Sequence, residues 1–249
     1  MKETIIYLHG IVGNQQAFKH QIEELGSKYN CIGYDYVGYS EEELGKNIPC
    51  NLDILVAQLH QLYQKHNIQK AHLCALSYGC FIATAFAHKY PDNVQSLTFV
   101  GGYCNQESEY IDSLHRLLKE KHECTHSEWL RRYAYATNPN NPDILEDTES
   151  IFCTCAEPLH PTIFENAVRM QTEFPSVTYL SAIKQPILWV MGEHDKIHLG
   201  TLQNLHVMVP QVQFHILKKA GHVAHIHQPS IFMNLFQSFL IANQHKVRQ

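Results

Sequence analysis

Four short stretches of this chain hold residue types that could act together in nucleophilic catalysis. The first is Ala75-Leu76-Ser77-Tyr78-Gly79. A serine hydroxyl is a poor nucleophile until it is exposed and a neighbour takes its proton. A sharp strand-to-helix turn exposes it, but side chains two positions away on either side would then collide, so small residues are required there. Ala75 and Gly79 satisfy that requirement. The second stretch is His9-Gly10-Ile11-Val12-Gly13. Acyl transfer places negative charge on a carbonyl oxygen, and backbone N–H groups must point at it. The N–H of Ile11 and the N–H of Tyr78, just after the serine, are the candidate donors. The third stretch is Met191-Gly192-Glu193-His194-Asp195, where Asp195 could orient and support an imidazolium. Glu193 and His194 are rivals for that role, and Glu107 and Glu109 are weaker ones. The fourth stretch, Gly221-His222-Val223-Ala224-His225-Ile226-His227, offers a base. His222, just after a glycine and nearest the preceding strand, is the preferred candidate. The same histidine run, with Asp195 or His194 added, could instead hold a metal, but that reading leaves the serine turn unexplained.

These stretches need elements to place them. Short apolar runs alternate with helical periodicity, as in a parallel sheet covered on both faces. The strands are expected at Thr4–His9, Cys31–Tyr34, Ala71–Leu76, Ser96–Val100, Pro186–Met191 and Val212–Leu217. Helices are expected at Phe18–Leu25, Asn51–His66, Phe81–Lys89 and Ser230–Ala242, the last with Ile231, Leu235, Phe239 and Leu240 facing inward. Each candidate residue then follows a strand, in the order Ser77, Asp195, His222. The span from 103 to 184 breaks the alternation and reads as helices: Ser108–Glu120, Ser127–Tyr135, Asp143–Phe152 and Pro161–Glu173. A helical insertion after a parallel strand is expected to lie as a lid over the sheet's carboxyl edge. The expected organisation is therefore a core of residues 1–102 and 185–249 with a lid of residues 103–184. Before Lys184 the insertion has six Lys/Arg against thirteen Asp/Glu. That balance disfavours a polyanionic substrate.

Composition excludes other classes. A net charge of −5 gives no electrostatic footprint for nucleic acid. No apolar run approaches the ~20 residues of a membrane span. The chain opens directly on a strand with no signal peptide before it, so a cytoplasmic, reducing setting is expected and the eight cysteines are read as thiols. Cys74 and Cys80 sit in apolar runs and read as small buried hydrophobes. The 18 histidines should make the net charge much less negative as pH falls through about 6.5.

On these motifs the chain resembles the α/β-hydrolase superfamily over nearly its whole length apart from the insertion. Leu8-His9-Gly10 is similar to the family's oxyanion loop, and Asp35-Tyr36-Val37-Gly38-Tyr39-Ser40 to the segment beside its active-site entrance. Ala75–Gly79 resembles its nucleophile elbow, with Ala75 in place of the usual glycine. Gly192–Asp195 resembles its acid motif, and Gly221-His222 with Gln228-Pro229 its histidine loop. The resemblance implies an α/β fold of about six parallel strands, all flanked by helices, with Ser77, His222 and Asp195 as triad. It implies no metal and no organic cofactor. The implied substrate is a small-molecule ester or thioester, its acyl part enclosed by Trp129, Leu130, Tyr133 and Tyr135, although insertion core is the simpler reading of those four. Carbon–carbon hydrolases and menaquinone-pathway lyases share this fold and triad, and form the alternative. A ligand receptor without catalysis is the third reading.

Overall fold

A computed structural model of the chain describes residues 2–106 and 108–244. Six strands, β1 Thr4–Leu8, β2 Asn30–Gly33, β3 Ala71–Leu76, β4 Val94–Val100, β5 Ile187–Gly192 and β6 Val212–Leu217, form one sheet in the order β2-β1-β3-β4-β5-β6. Every pairing is parallel. Side chains alternate between two cores, as the pleat requires. Ile6 and Leu8 enter the larger core while Ile5 and Tyr7 enter the smaller; Trp189 and Leu188 divide in the same way.

Helices α1 Lys19–Leu25, α2 Leu52–Lys65 and α3 Tyr78–Lys89 follow β1, β2 and β3. Asn51 caps α2 by accepting the Ile54 N–H at 2.9 Å. Five helices then separate β4 from β5: α4 Glu109–Glu120, α5 His126–Thr137, α6 Thr148–Ala156, α7 Pro161–Glu173 and α8 Ser176–Ala182. Three short turns, α9 Lys196–Leu199, α10 Leu205–Met208 and α11 Ala224–His227, precede the closing helix α12 Pro229–Ala242. α1 and α12 cover the smaller core, and α2, α3 and the insertion cover the larger.

Several local expectations shift. α3 begins at Tyr78, not Phe81. α6 starts at Thr148 because Asp147, not Asp143, accepts the Ser150 N–H and caps it. α8 was not expected at all. On α12 the buried residues are Phe232, Met233, Phe236, Phe239 and Leu240, whereas Ile231 is exposed.

The register aligns Leu8 with Ala75, Leu76 with Val100, Val100 with Val190, and Gly192 with Leu217. The loops after β1, β3, β5 and β6 therefore open on one edge. The chain winds outward in both directions from β1 and β3. A crevice at such a reversal is where open parallel sheets bind ligands.

Candidate active site

Ser77 alone makes the turn between β3 and α3. Its backbone lies at φ 51° and ψ −113°, a left-handed region that costs a non-glycine residue about 1–3 kcal/mol. Two hydrogen bonds hold it there: the Ser77 N–H donates to the Val100 carbonyl at 2.9 Å, and the Cys80 N–H donates to the Ser77 carbonyl at 2.8 Å. Ser77 lines a cavity of about 290 Å³ together with Gly10, Ile11, His198 and His222. Tyr78 is buried as the first residue of α3. Its N–H belongs to the helical turn whose donors have no acceptor within the helix.

The loop after β1 is pinned from two sides. The Tyr36 hydroxyl donates to the His9 carbonyl at 2.8 Å, and the two rings stack at 3.8 Å. The His9 Nδ1 lies 2.8 Å from the Gly10 carbonyl, which can only accept, while the Tyr36 N–H approaches Nε2 at 3.4 Å. That pattern fits a neutral ring protonated on Nδ1, and burial pushes its pKa down to about 4. Sequence reasoning missed Tyr36 as a support of this loop.

Asp195 follows β5, and His222 follows β6. The His222 Nδ1 lies 2.8 Å from Asp195 Oδ2. Burial on its own would raise the Asp195 carboxyl. The adjoining His198 and His222 rings, with their hydrogen bonds, outweigh it and hold the carboxyl well below its ordinary range. An ionised carboxylate only accepts, so the proton of a neutral His222 sits on Nδ1 and its Nε2 is left free as a base. Close approach of the histidine loop depends on Gly101, at φ 57° just after β4. A Cβ there would stand 2.6 Å from the His222 carbonyl oxygen and 2.9 Å from its Nδ1.

A residue that the sequence did not single out joins this pair. His198, on α9, brings its Nδ1 to 2.6 Å from the other Asp195 oxygen, and its ring stacks on His222 at 4.2 Å. Its one sequence signal is the i, i+3 spacing from Asp195 across a helical turn.

The rivals make other contacts. Glu193 accepts from the Lys219 N–H, and His194 lies 3.4 Å from Glu193 and 3.8 Å from Asp143. Glu109 opens α4, and Glu107 lies outside the described residues. The His-x-x-His-x-His run does not converge. His225 Nε2 bonds the Ala17 carbonyl, and His227 Nδ1 accepts from the Gly221 N–H. Among the described residues, the one cluster with metal-ligand types is Asp195, His198 and His222. Tetrahedral zinc ligands stand roughly 3.3 Å apart. The 2.6 and 2.8 Å contacts here are hydrogen bonds from ring to carboxylate.

The cavity walls are mainly apolar, built from Val12, Leu76, Ile151, Phe152, Val223 and Ile226, with no lysine or arginine among the described lining residues. Of the four residues expected to enclose an acyl group, only Tyr133 lines the cavity. Trp129 and Leu130 are insertion core, with the Trp129 indole N–H bonded to the Leu117 carbonyl at 2.7 Å, and Tyr135 is 70% exposed.

A family model described as alpha/beta hydrolase fold matches residues 3–154. Among curated proteins, a Bacillus subtilis protein assigned as a 2-succinyl-6-hydroxy-2,4-cyclohexadiene-1-carboxylate synthase is 22% identical over 96% of this chain and 90% of its own length. A 2-hydroxy-6-oxononadienedioate/2-hydroxy-6-oxononatrienedioate hydrolase of Paraburkholderia phymatum is 25% identical over 96% of this chain and 87% of its own. Among solved structures, one from work on carboxylesterases of Nitrososphaera gargenis superposes with a TM-score of 0.79 at 17% identity, covering 97% of this chain and 90% of that one.

Proposed function

The chain belongs to the α/β-hydrolase family, and from that membership we propose that it is a serine hydrolase acting on an uncharged carboxylic ester or thioester. One observation carries the reading: Ser77, on its strained turn, lines the same cavity as His222, whose Nδ1 meets the buried Asp195 carboxylate. In this reading His222 Nε2 takes the Ser77 proton as the hydroxyl attacks the acyl carbon. The Ile11 and Tyr78 N–H groups receive the oxyanion. His222 then protonates the leaving group, and water repeats the cycle to release the acid. The helices of 103–184 act as a lid in this scheme, since Tyr110, Tyr133 and Phe152 supply much of the cavity wall.

The choice of an uncharged ester rests on the lining. Both curated relatives carry names that describe carboxylate-bearing compounds. A carboxylate taken from water into an apolar cavity needs a cationic partner. Here the described walls offer three histidines and Glu146, but no guanidinium or ammonium group.

The first test is labelling with a fluorophosphonate, followed by turnover of neutral p-nitrophenyl esters of increasing acyl length. The wild type should label and hydrolyse. Ser77→Ala and His222→Ala should lose labelling, with turnover falling on the order of 10⁴-fold or more. Turnover of a carbon–carbon-cleavage diacid in preference to every neutral ester would move the chain to the alternative reading. Absence of labelling in the folded wild type would end the serine-hydrolase reading.

A further inference from the structure

Asp195 carries one negative charge and meets two imidazoles, His198 on one oxygen and His222 on the other. We propose that His198 is a positioning residue that withdraws part of the Asp195 charge from His222 and so sets the pH range in which His222 works as a base. This rests on the Ser77–His222–Asp195 reading above.

A carboxylate held ionised can only accept, so both Nδ1 atoms, at 2.6 and 2.8 Å, carry their hydrogens toward it. Each hydrogen bond to the charged form lowers the basicity of that carboxylate and weakens its pull on the other ring. The rings stack with centroids 4.2 Å apart, so a proton on one opposes a proton on the other. When Ser77 gives up its proton, His222 becomes the cation, and His198 must then be neutral.

The surroundings favour that state. His198 is almost fully buried, with 2% of its side chain exposed. Tyr103, from the segment after β4, and Tyr110, from α4, pack on its ring at 4.8 and 4.5 Å. Burial holds both phenols well above their ordinary range, so neither ionises near neutrality. The Thr201 hydroxyl donates to the His198 carbonyl at 2.8 Å and fixes the turn. On the His222 side of the cavity stand His227 and Glu146, 3.8 Å apart, and in the cavity behind it His194, facing Asp143. Burial, acting with the His222 ring, outweighs the attraction of Asp195 and lowers the His198 pKa.

The test measures the fluorophosphonate labelling rate of the full chain from pH 5 to 9 in wild type, His198→Asn and His198→Leu. Asparagine can keep a donor at the Nδ1 position without titrating; leucine cannot donate. With the donor gone, the undivided Asp195 charge stabilises the His222 cation. The acid limb of His198→Leu should move up by about half a pH unit or more. His198→Asn should return it to the wild-type curve. If His198→Leu loses rate at every pH but titrates with the wild type, His198 is packing only and the inference falls. Should the leucine variant not fold, proton NMR of the wild type decides. Two low-field imidazole N–H signals, of which His198→Asn removes one, support the shared carboxylate, and a single signal overturns it. Absence of labelling in the wild type at every pH would instead overturn the underlying triad.

Discussion

A methyl group on residue 79 would stand 2.7 Å from the carbonyl oxygens of both Leu8 and His9. Backbone cannot yield as a flexible side chain does, so Gly79→Ala must push α3 and the β1 loop apart. The expected cost is about 1–3 kcal/mol. The same displacement separates the N–H groups of Ile11 and Tyr78. Calorimetry should show the lower melting temperature, and labelling of Ser77 should slow by a larger factor than folding alone explains. That Ser77, Asp195 and His222 each follow a strand end was legible in the sequence, because a glycine marks each turn. Ala75, the departure from the usual glycine, is fully buried within β3. His198 was not legible. It sits one turn beyond Asp195, and only the fold shows that the intervening backbone curls it onto the same carboxylate.

At the scale of elements, one amide ties several parts of the insertion to one another. Gln171 of α7 has no exposed surface. Its side-chain oxygen accepts from the hydroxyls of Tyr103, Tyr110 at 2.7 Å and Tyr133 at 3.1 Å, while its nitrogen donates to the Ala167 carbonyl at 3.0 Å. Those tyrosines come from the segment after β4, from α4 and from α5. Gln171→Leu keeps the volume but removes the acceptor for three buried hydroxyls, and each orphaned group costs roughly 1–3 kcal/mol. Unfolding in urea should show a loss of at least about 2 kcal/mol, against little change for Gln171→Glu at a pH that keeps the acid protonated. The strands were read to within two residues at either end, since buried apolar runs end abruptly at polar turns. The insertion was read less well. Its helices are set by caps such as Asp147 and the Thr125–Glu128 capping box, and by contacts such as Gln171, whose partners lie 38 to 68 residues away. α8, seven residues long and held against α3, has too short a period to read.

Across the whole molecule, the histidines do not titrate as one population near pH 6.5. Burial pushes both His9 and His225 down to about 4. His225 Nε2 bonds the Ala17 carbonyl at 3.1 Å, and its buried Nδ1 has no partner among the described residues. Between about 6.5 and 4 the unfolded chain binds protons that these folded rings refuse, so stability falls as pH falls. The slope is up to about 1.4 kcal/mol per pH unit for each ring. Thermal melts should therefore show a steep loss from pH 6.5 to pH 5. His225→Leu, between Phe18 and Phe232, should remove up to about 1.4 kcal/mol per pH unit of that slope. An unchanged slope in that variant would place the acid sensitivity in other groups.

Of the two tryptophans of the chain, one lies on α5 and the other on β5. Trp129 is locked in the insertion through Leu117, and Trp189 in β5 donates to the Gly102 carbonyl at 3.3 Å. Replacing one with phenylalanine leaves a single tryptophan, which excitation at the red edge of the absorption band selects over the tyrosines. Its fluorescence then follows only the insertion or only the sheet. The molecule thus carries its own pair of optical reporters, able to say without any attached dye whether the helices between β4 and β5 loosen before the sheet melts.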